Sequence, residues 1–318
     1  MKEKHLFSQQ VFEEMERRVG RDHLSKRLRL QVEHTAIKFS GGGLRIYWGN
    51  AVFFYRFLEF ILKFSGFYNR GIRNSVEYWI EETNVCFRNV PENFKGFRIL
   101  QLSDLHADAI IDKGELLREK ISEIDFDLCV ITGDFRFLSY DNYQGALTGV
   151  KRIVDSLQCE HGILAVLGNH DFIEMVPGLE AMGIRILLNE AVPIRRNGEV
   201  IWIAGVDDPH FYEAHNLKKT FQEVPRREFK VLLAHSPELV EDAANFMVDY
   251  YLCGHTHGGQ ICLPRGIPVI TNATCSRKYV SGPWKYQKMA GYTSRGTGSS
   301  GLTVRFFCPP EITLHRFI

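Results

Sequence analysis

The sequence of 318 residues lacks the features that mark several classes of protein. Its seven cysteines are an odd number, and no two of them form a C-x-x-C pair, which argues against a disulfide framework. No G-x-x-x-x-G-K-[ST] sequence is present, so a P-loop is excluded. Met1-Lys2-Glu3-Lys4 is not followed by the apolar region of a secretory signal. We therefore expect a cytosolic protein whose thiols stay reduced, without a signal peptide.

The whole chain also lacks an excess of charge of one sign. It has 39 Lys+Arg and 38 Asp+Glu, a net charge of +1, so we expect no nucleic-acid partner. The charge is unevenly distributed, however. Residues 1–73 contain 14 basic and 7 acidic residues, a net of +7, which leaves −6 for the remainder. This basic front part predicts an anionic surface as its partner.

Long hydrophobic runs are absent even from the most apolar segment, residues 51–70. Its longest unbroken run, Ala51 to Tyr55, falls far short of the ~20 residues that a transmembrane helix needs. On a helix from Ala51 to Tyr68 the charged residues fall in one narrow arc: Arg56, Glu59, Lys63 and, beyond its end, Arg70. A wide apolar face with basic flanks predicts a helix that lies in a membrane interface. A helix that docks on the body of the protein or forms a dimer contact is the alternative.

Two parts are predicted along the chain. Residues 1–84 are expected to form a helical, basic membrane-interface segment, with a helix over residues 5–19 and a hinge at Ser40–Gly43. From about residue 85 strands alternate with helices, so residues 85–318 predict a layered α/β domain. The closing stretch, residues 259–318, is rich in Gly, Pro and strand formers and predicts a run of β-hairpins.

Five apolar runs in the second part end in polar residues that are able to bind metal ions. The residues at these ends are Asp104, His106, Asp134, Asn169, His235, His255 and His257. If the runs are parallel strands, their carboxyl ends meet at one edge of a sheet, where open α/β sheets have their crevice. Carboxylate oxygens and imidazole nitrogens are ligands for divalent cations. These residues suffice for two metal sites that share one aspartate, an arrangement able to clamp a phosphoryl group.

The motifs D-x-H, G-D, G-N-H-D, a single His and G-H-T-H occur in this order, each after a predicted strand. In this order they resemble the calcineurin-like metallophosphoesterase superfamily over about residues 95–318. The resemblance implies an α/β fold, a four-layer α-β-β-α sandwich, here with an N-terminal helical membrane-associating extension. It also implies two divalent ions, with Mn²⁺ as the expected metal and Fe or Zn²⁺ left open. One ion would be held by Asp104, His106, Asp134 and His257, and the other by Asp134, Asn169, His235 and His255.

The same resemblance suggests further roles. His170 would contact the substrate phosphate and protonate or stabilise the leaving oxygen, and Asp171 would orient the His170 ring. After G-D, Phe135-Arg136-Phe137 replaces the acidic or small residue that is common in the family. Arg136 is therefore either a phosphate contact or a surface residue, and both interpretations stay open. For His235 taken alone, a buried core histidine is an equally good interpretation.

Two other stretches resemble a bacterial, membrane-associated branch of the superfamily that includes the chlamydial-type UDP-2,3-diacylglucosamine pyrophosphatase. They are Gly205–Pro209 and Ser294–Gly301, the latter followed by Val304-Arg305-Phe306 and Cys308–Ile312. The Gly-rich stretch either presents backbone N–H groups to an anion, with Arg295 as a charge partner, or is a plain β-turn. Residues 209–226 are interpreted as an insertion loop over the site.

The branch resemblance and the apolar helix together predict the reaction. We expect hydrolysis of UDP-2,3-diacylglucosamine to UMP and 2,3-diacylglucosamine 1-phosphate in lipid A synthesis, by a peripheral protein on the cytoplasmic face of the inner membrane. The expected partners are this acylated nucleotide sugar, or another lipid phosphate, and the membrane surface. A broad-specificity phosphodiesterase or phospholipid phosphatase is the alternative, and a non-enzymatic membrane-docking scaffold is a second one. Removal of residues 1–70 is expected to leave hydrolysis of a small soluble phosphodiester largely intact.

Overall fold

Two mixed β-sheets lie at the centre of the molecule. The computed structural model describes residues 9–40, 49–137, 142–269, 271 and 273–318, and of residues 34–40 and 49–54 the backbone alone. Within these residues the first sheet has the order β1 (Trp79–Val85), β14 (Glu311–Phe317), β2 (Arg98–Leu102), β3 (Leu128–Ile131), β4 (Ile163–Ala165) and β5 (Ile184–Ile186). Strands β2 to β5 are parallel to one another, β14 is antiparallel to β2, and β1 is parallel to β14.

The second sheet is also built around a parallel centre. Its order is β12 (Gly282–Tyr286), β13 (Met289–Thr293), β9 (Tyr250–Cys253), β8 (Phe229–Leu233), β7 (Glu199–Gly205) and β6 (Glu190–Arg196). The edge strands β12 and β6 are antiparallel to their neighbours, and the four central strands are parallel. A small antiparallel hairpin pairs β10 (Cys262–Leu263) with β11 (Ile267–Pro268).

Helices cover the outer faces of both sheets. The helices are α1 (Gln9–Val19), α2 (Arg21–Ser40), α3 (Gly49–Phe64), α4 (Tyr68–Asn74), α5 (Glu115–Ser122), α6 (Gln144–Val154), α7 (Val176–Glu180), α8 (Leu217–Thr220) and α9 (Val240–Asn245). Helix α6 shows why they dock, because its apolar residues recur three and four positions apart. Ala146, Val150 and Ile153 form one buried stripe on this helix.

The alternation of side chains along each strand divides the core into three clusters. Ile99 and Leu128 point into the space between the two sheets, where they meet Val231 and Leu252 of the second sheet. Leu100, the neighbour of Ile99, points the other way into a cluster with α5, α6 and α7. A third cluster joins the outer face of the second sheet to α8 and α9. The layers are therefore helix, sheet, sheet and helix, and the predicted four-layer α/β sandwich is confirmed.

The N-terminal helices α1 and α2 pack against this body. Met15, Val19 and Leu24 are buried in the same cluster as Leu100, and Arg18 pairs with Glu180 at 2.7 Å. The predicted boundary between residues 84 and 85 falls inside β1, and the division into two domains stays a prediction. The expectation that removal of residues 1–70 leaves hydrolysis largely intact stays a prediction, and this packing argues against it, because loss of α1 and α2 would open the core.

The apolar segment 51–70 forms two helices instead of the single one predicted from Ala51 to Tyr68. Helix α3 ends at Phe64, Gly66 takes a left-handed φ of +77°, and α4 begins at Tyr68. Glycine adopts this left-handed conformation without strain because it has no Cβ, and a residue in this conformation ends a helix. Among the residues described, no helix combines the length and the apolar character needed to cross a bilayer. Gly41–Gly43 of the predicted hinge lie outside the described residues.

Two strands and one long irregular segment are not evident in the sequence. Strands β1 and β6 are edge strands. The residues of β1 alternate between exposed and partly buried positions, and in β6 the buried Val192 and Ile194 alternate with exposed residues, so neither strand carries a continuous apolar run. The closing stretch contains the two hairpins β10–β11 and β12–β13, as predicted, but β14 instead returns to the first sheet beside β2. Residues 294–310 between them form an irregular segment that contains no named strand or helix.

Candidate metal centre

The seven predicted ligand residues meet at one end of the two sheets. Each follows the carboxyl end of a parallel strand, and all are buried: Asp104 and His106 after β2, Asp134 after β3, Asn169 after β4, His235 after β8, and His255 and His257 after β9. Because the sheets pack face to face with these ends on the same side, the side chains converge from both sheets. The tertiary structure thereby brings together every residue of the predicted set.

Asp134 lies between two groups of histidines. Its Oδ2 atom is 3.3 Å from His235 Nε2 and 3.9 Å from His106 Nε2. On one side, single donor atoms of Asp104, His106 and His257 lie within 4.8 Å of one another, and on the other side those of Asp134, His235 and His255 do. Asn169 Oδ1 completes the second group at 2.9 Å from His235 Nε2. Two clusters of oxygen and nitrogen donors thus adjoin a single central carboxylate.

Backbone carbonyls determine how three of the histidine rings face the centre. His106 Nδ1 lies 2.6 Å from the carbonyl oxygen of Arg136, His235 Nδ1 2.8 Å from that of Thr132, and His170 Nδ1 2.6 Å from that of Phe137. A carbonyl only accepts, so each Nδ1 must donate its hydrogen. In the neutral ring the lone pair is then left on Nε2, which points toward Asp134. Histidines that ligate metals are oriented in this way.

The turns after the strands hold strained backbone. Asp104, His106, Asp134, His255 and His257 all have left-handed φ values between 41° and 71°. Such conformations cost non-glycine residues about 1–3 kcal/mol each and persist where the surrounding structure imposes them, often at functional sites. The adjoining glycines allow close packing: a Cβ on Gly168 would lie 2.2 Å from Asp134 Oδ1, and one on Gly254 2.3 Å from Asp104 Oδ2.

Burial and mutual charge shift the protonation equilibria at the centre. Desolvation opposes the charged forms, but for Asp134 the neighbouring His235 and His170 outweigh it and hold the pKa of the carboxyl well below its usual range. The carboxylates of Asp134 and Asp104 likewise overcome desolvation at His235 and raise its pKa to about 10. For His106, desolvation prevails and lowers the pKa. Anionic carboxylates beside imidazole nitrogens in a buried pocket form a donor set that suits divalent cations.

His170 lies at the edge of the centre, and it is the predicted catalytic residue that retains some exposure, at 9%. Its Nε2 atom is 4.0 Å from Asp134 Oδ2, and its ring centroid is 5.1 Å from that of His106. The side chain is thus oriented toward the space in front of the donor clusters.

Asp171 does not orient His170, and that part of the prediction is wrong. Its carboxylate instead accepts three backbone N–H groups, from Asp134 and Phe135 at 2.8 Å and from Gly168 at 2.9 Å. The ring of His170 is fixed through the carbonyl of Phe137. Burial and the charge of Asp134 raise the pKa of Asp171 to about 7. Asp171 therefore ties the turn after β4 to the turn after β3, and it acts on the backbone that carries Asp134.

The two predicted phosphate contacts also have other partners. Arg136 is buried, so the interpretation as a surface residue is wrong; its guanidinium stacks on the Phe172 ring at 4.2 Å from the centroid. Arg295 forms ion pairs with Glu81 and, at 2.7 Å, with Glu311. The Gly-rich stretch donates the N–H groups of Thr297 and Gly298 to the carbonyls of Ser103 and Asp104 instead of leaving them for an anion. A phosphate contact by either arginine stays a prediction.

Several residues around the centre had been given no role in the site from the sequence. Arg305, fully buried, donates to the carbonyls of Arg295, Gly296 and Gly298, and lies 3.4 Å from His257 Nδ1. An arginine between two apolar neighbours in a Gly-rich stretch is the one signal that points to this buried role.

Further residues that had been given no role in the site lie on the other side of the centre. His210, in the predicted insertion loop, has its ring 4.1 Å from that of His255 and its Nδ1 2.8 Å from Glu238. Asp208 accepts the N–H groups of residues 210–212 and holds this loop beside the centre. Arg27 of α2 donates to the carbonyl of Asp171 at 3.0 Å. The structure therefore extends the site to residues that no metal-binding motif marks.

Comparison with known proteins defines the class of protein to which this fold and site belong. The model of the calcineurin-like phosphoesterase family matches residues 97–259, half of the chain, so the chain belongs to this family. It is a hydrolase of the metallophosphoesterase family, and the family implies divalent metal ions, for which the Asp and His clusters are candidate sites. The predicted resemblance is thus confirmed.

Relatives extend the likeness beyond the family model. The chain is 31% identical over 247 residues to the uncharacterized metallophosphoesterase YkuE of Bacillus subtilis, covering 74% of this chain and 85% of that one. It is 27% identical over 255 residues to the phosphodiesterase YaeI of Escherichia coli, covering 76% and 89%. It is 28% identical over 294 residues to the UDP-2,3-diacylglucosamine pyrophosphatase LpxG of Chlamydia trachomatis, covering 72% and 86%.

Proposed function

We propose that this metallophosphoesterase hydrolyses the pyrophosphate bond of a lipid-linked nucleotide sugar, UDP-2,3-diacylglucosamine, at a centre where Asp134 lies between two groups of residues that would hold two metal ions. The observation that carries the proposal is the position of the Asp134 carboxylate between two clusters of buried donors. Asp104, His106, Asp134 and His257 would hold one ion, and Asp134, Asn169, His235 and His255 the other. When bound, two such ions neutralise charge on phosphoryl oxygens and acidify water.

The protein's own contribution to the centre is preorganisation. The carbonyls of Arg136 and Thr132 fix the rings of His106 and His235, so these donors need no rearrangement when an ion binds. Asp171 accepts hydrogen bonds from the backbone N–H groups of Asp134 and Phe135, which keeps the central carboxylate of Asp134 in place. The low pKa of Asp134 keeps it anionic at neutral pH.

His170 is proposed as the general acid. In the hydrolysis, the oxygen of water forms a bond to phosphorus and loses a proton to solvent, the bond from phosphorus to the leaving oxygen breaks, and that oxygen takes up a proton from a general acid, which regains one from solvent. With its Nδ1–H held by the carbonyl of Phe137, His170 would donate the proton from Nε2, which lies 4.0 Å from Asp134 Oδ2. A nearby carboxylate stabilises the protonated imidazole, and general acids of this kind contribute about 10²–10⁴ in rate.

The lipid character of the substrate is supported by the surface of α3. Phe57, Phe60 and Phe64 are 55%, 65% and 86% exposed on this helix, with Ile61 and Phe67 beside them. Apolar side chains at this density are typical of a helix that lies in a membrane interface. We therefore propose peripheral attachment to the cytoplasmic face of the inner membrane, with the acyl chains of the substrate in the bilayer. The name of the chlamydial relative supports this substrate.

A second candidate function is a broad-specificity phosphodiesterase, or a phospholipid phosphatase, of the same family. The name of the Escherichia coli relative favours it, since that protein matches this chain at nearly the same identity. The two functions share the centre and differ in the leaving group.

Nucleotide release separates the two candidates. The purified full chain, loaded with Mn²⁺, is incubated with UDP-2,3-diacylglucosamine in mixed micelles and, separately, with a small soluble phosphodiester and a phosphatidic acid. The proposal expects release of UMP with a kcat/KM at least about a hundredfold above that for the soluble diester, because remote binding energy of the lipid lowers the barrier. Cleavage of the soluble diester without release of UMP would instead favour the broad phosphodiesterase. Parallel reactions with Fe²⁺ and Zn²⁺ identify the metal.

A further inference from the structure

The part of the chain after the last donor motif lacks acidic residues altogether. From residue 250 to residue 310 the sequence contains no Asp or Glu but has seven basic residues: Arg265, Arg277, Lys278, Lys285, Lys288, Arg295 and Arg305. Arg295 and Arg305 are used inside the protein, while Arg265, Arg277 and Lys278 are exposed. A segment whose charged residues are all basic, and several of them exposed, favours an anionic partner.

The hairpin β10–β11 places apolar side chains on the surface within this stretch. Leu263, Ile267 and Val269 are each more than half exposed, and so is Phe307, whose carbonyl oxygen lies 3.5 Å from the position of a Cβ on Gly266 in the hairpin turn. Arg265 occupies the tip between Leu263 and Ile267. We call these five residues, Leu263, Arg265, Ile267, Val269 and Phe307, the hairpin surface. It combines apolar side chains with a cationic tip.

The hairpin surface adjoins the exposed helix α3 through a strip formed by residues 301–307. On one side of the strip, a Cβ on Gly301 would meet the ring of Tyr55 in α3 at 2.5 Å, and the N–H of Arg305 donates to the carbonyl of Gly71 at 3.0 Å. On its other side, the N–H of Cys262 at the start of the hairpin donates to the carbonyl of Phe306 at 2.9 Å. Helix α3 and the hairpin therefore flank the same strip.

The hairpin surface also adjoins the metal centre. Cys262, its first strand residue, contacts the carbonyl of Gly258 through Sγ at 3.3 Å, directly after the donor His257. The exposed Arg277 and Lys278 precede Val280, whose carbonyl accepts from Thr256 at 2.6 Å, between His255 and His257. Whatever covers this surface thus lies close to the segment that carries the donors His255 and His257.

We infer that the hairpin surface is a second membrane-contacting element that inserts its apolar side chains among anionic phospholipids and orients the metal centre toward the headgroups. The inference rests on the membrane attachment through α3 proposed above, and it adds a separate element to it. An anionic lipid surface is favoured over a protein partner because it satisfies both the apolar side chains and the absence of acidic residues over 61 positions. If both α3 and the hairpin contact the bilayer, the protein has one defined orientation on the membrane. A single helix in the interface would leave the protein free to rotate about the axis of that helix.

Vesicle partitioning of the full chain tests the inference. Binding is measured by sedimentation with vesicles of phosphatidylcholine alone and of phosphatidylcholine mixed with phosphatidylglycerol. The double variant Leu263→Asn/Ile267→Asn is expected to lower the partition coefficient on both kinds of vesicle by about tenfold or more, because two aliphatic side chains no longer insert. Arg265→Gln is expected to lower it about fivefold on the anionic vesicles and to leave it unchanged on phosphatidylcholine.

Matched variants make the outcomes distinguishable. Met247→Asn removes an apolar side chain that is 42% exposed at the opposite end of β9 and is expected to bind like the unaltered protein. Thermal unfolding of every variant at an unchanged Tm shows that the fold is retained. If Phe60→Asn/Phe64→Asn loses binding while the hairpin variants keep it, the hairpin inference is overturned but attachment through α3 stands. If no variant changes vesicle binding and the hairpin variants abolish a dimer in sedimentation velocity, the surface instead joins two copies of the chain.

Discussion

Replacement of Arg27 by methionine tests whether helix α2 is part of the hydrolase body. Arg27 and Asp207 are both completely buried, with Arg27 Nη1 3.3 Å from Asp207 Oδ1, and the guanidinium stacks on the ring of Tyr212 at 3.5 Å. It also donates to the carbonyl of Asp171, whose side chain holds the turn that carries Asp134. One side chain of α2 thus connects to two loops beside the metal centre.

The expected loss of stability follows from the charge of Asp207, which the substitution leaves buried without its arginine partner. Methionine fills much of the volume but leaves Asp207 buried without the guanidinium charge, with the imidazole of His23 at 2.8 Å still hydrogen-bonded to it. Removal of one member of a buried ion pair costs about 3–5 kcal/mol, because the other charge stays desolvated. The unfolding entropy is about 2.1 cal/mol/K per residue. Dividing the loss of free energy by the total entropy of 318 residues gives a fall in Tm of roughly 5–8 °C.

The assay is thermal and denaturant unfolding of the full chain, with two companion variants. Arg29→Met alters an exposed arginine two positions along the same helix, 3.7 Å from Glu33, and is expected to change stability by less than about 0.5 kcal/mol. Arg27→Met/Asp207→Asn removes both charges and is expected to regain about 1–3 kcal/mol of the loss. A loss below about 1 kcal/mol for Arg27→Met, or a double variant no more stable than the single one, would refute the reasoning.

Three further predictions concern the donors, the proposed acid and a distant buried histidine. Asp134→Asn is expected to reduce bound metal by both ions and Asp104→Asn by one, as measured by elemental analysis of the purified chain; equal losses would contradict a bridging role for Asp134. His170→Ala is expected to lower kcat on a soluble phosphodiester by about 10²–10⁴ while metal content is unchanged, and full activity would exclude His170 as the acid. Desolvation lowers the pKa of His315 to about 3, so between about pH 6 and 4 the unfolded chain binds a proton there that the folded chain does not. The free energy of unfolding therefore decreases as the pH falls, by about 1.4 kcal/mol per pH unit from this group. In His315→Gln, a plot of the free energy of unfolding against pH should lack this contribution, which corresponds to the uptake of one proton.

The sequence predicted the centre better than its surroundings because the two depend on different information. The donors follow apolar strands at short spacing, so local patterns reveal Asp104, His106 and the pair His255 and His257. The orienting groups are backbone carbonyls such as those of Arg136 and Thr132, and every residue has a carbonyl. The role assigned to Asp171 was wrong for the same reason: its partners are backbone N–H groups of residues 134 and 135, over thirty positions earlier in the chain.

In the fold, too, local sequence patterns predicted some elements and missed others. Strands β2, β3, β8 and β9 are buried on both faces and read as continuous apolar runs, whereas the edge strands β1 and β6 alternate and were not predicted. The basic character of residues 1–73 suggested an external partner, yet Arg27 and Arg18 pair with acidic residues of the body. A count of charges does not distinguish an arginine that faces solvent from one that is buried on an acidic partner.

By itself, the sequence determined the layered α/β class and the family and identified the candidate donor residues, because each motif lies within a few residues of one strand and the motifs follow one another in a characteristic order. Only the tertiary structure decided that two sheets bring these strand ends to one point with Asp134 between the clusters. It also decided that α2 belongs to the body and that the hairpin surface and α3 flank the same strip. These features depend on contacts between residues far apart in the chain, which strand and helix periodicity does not encode.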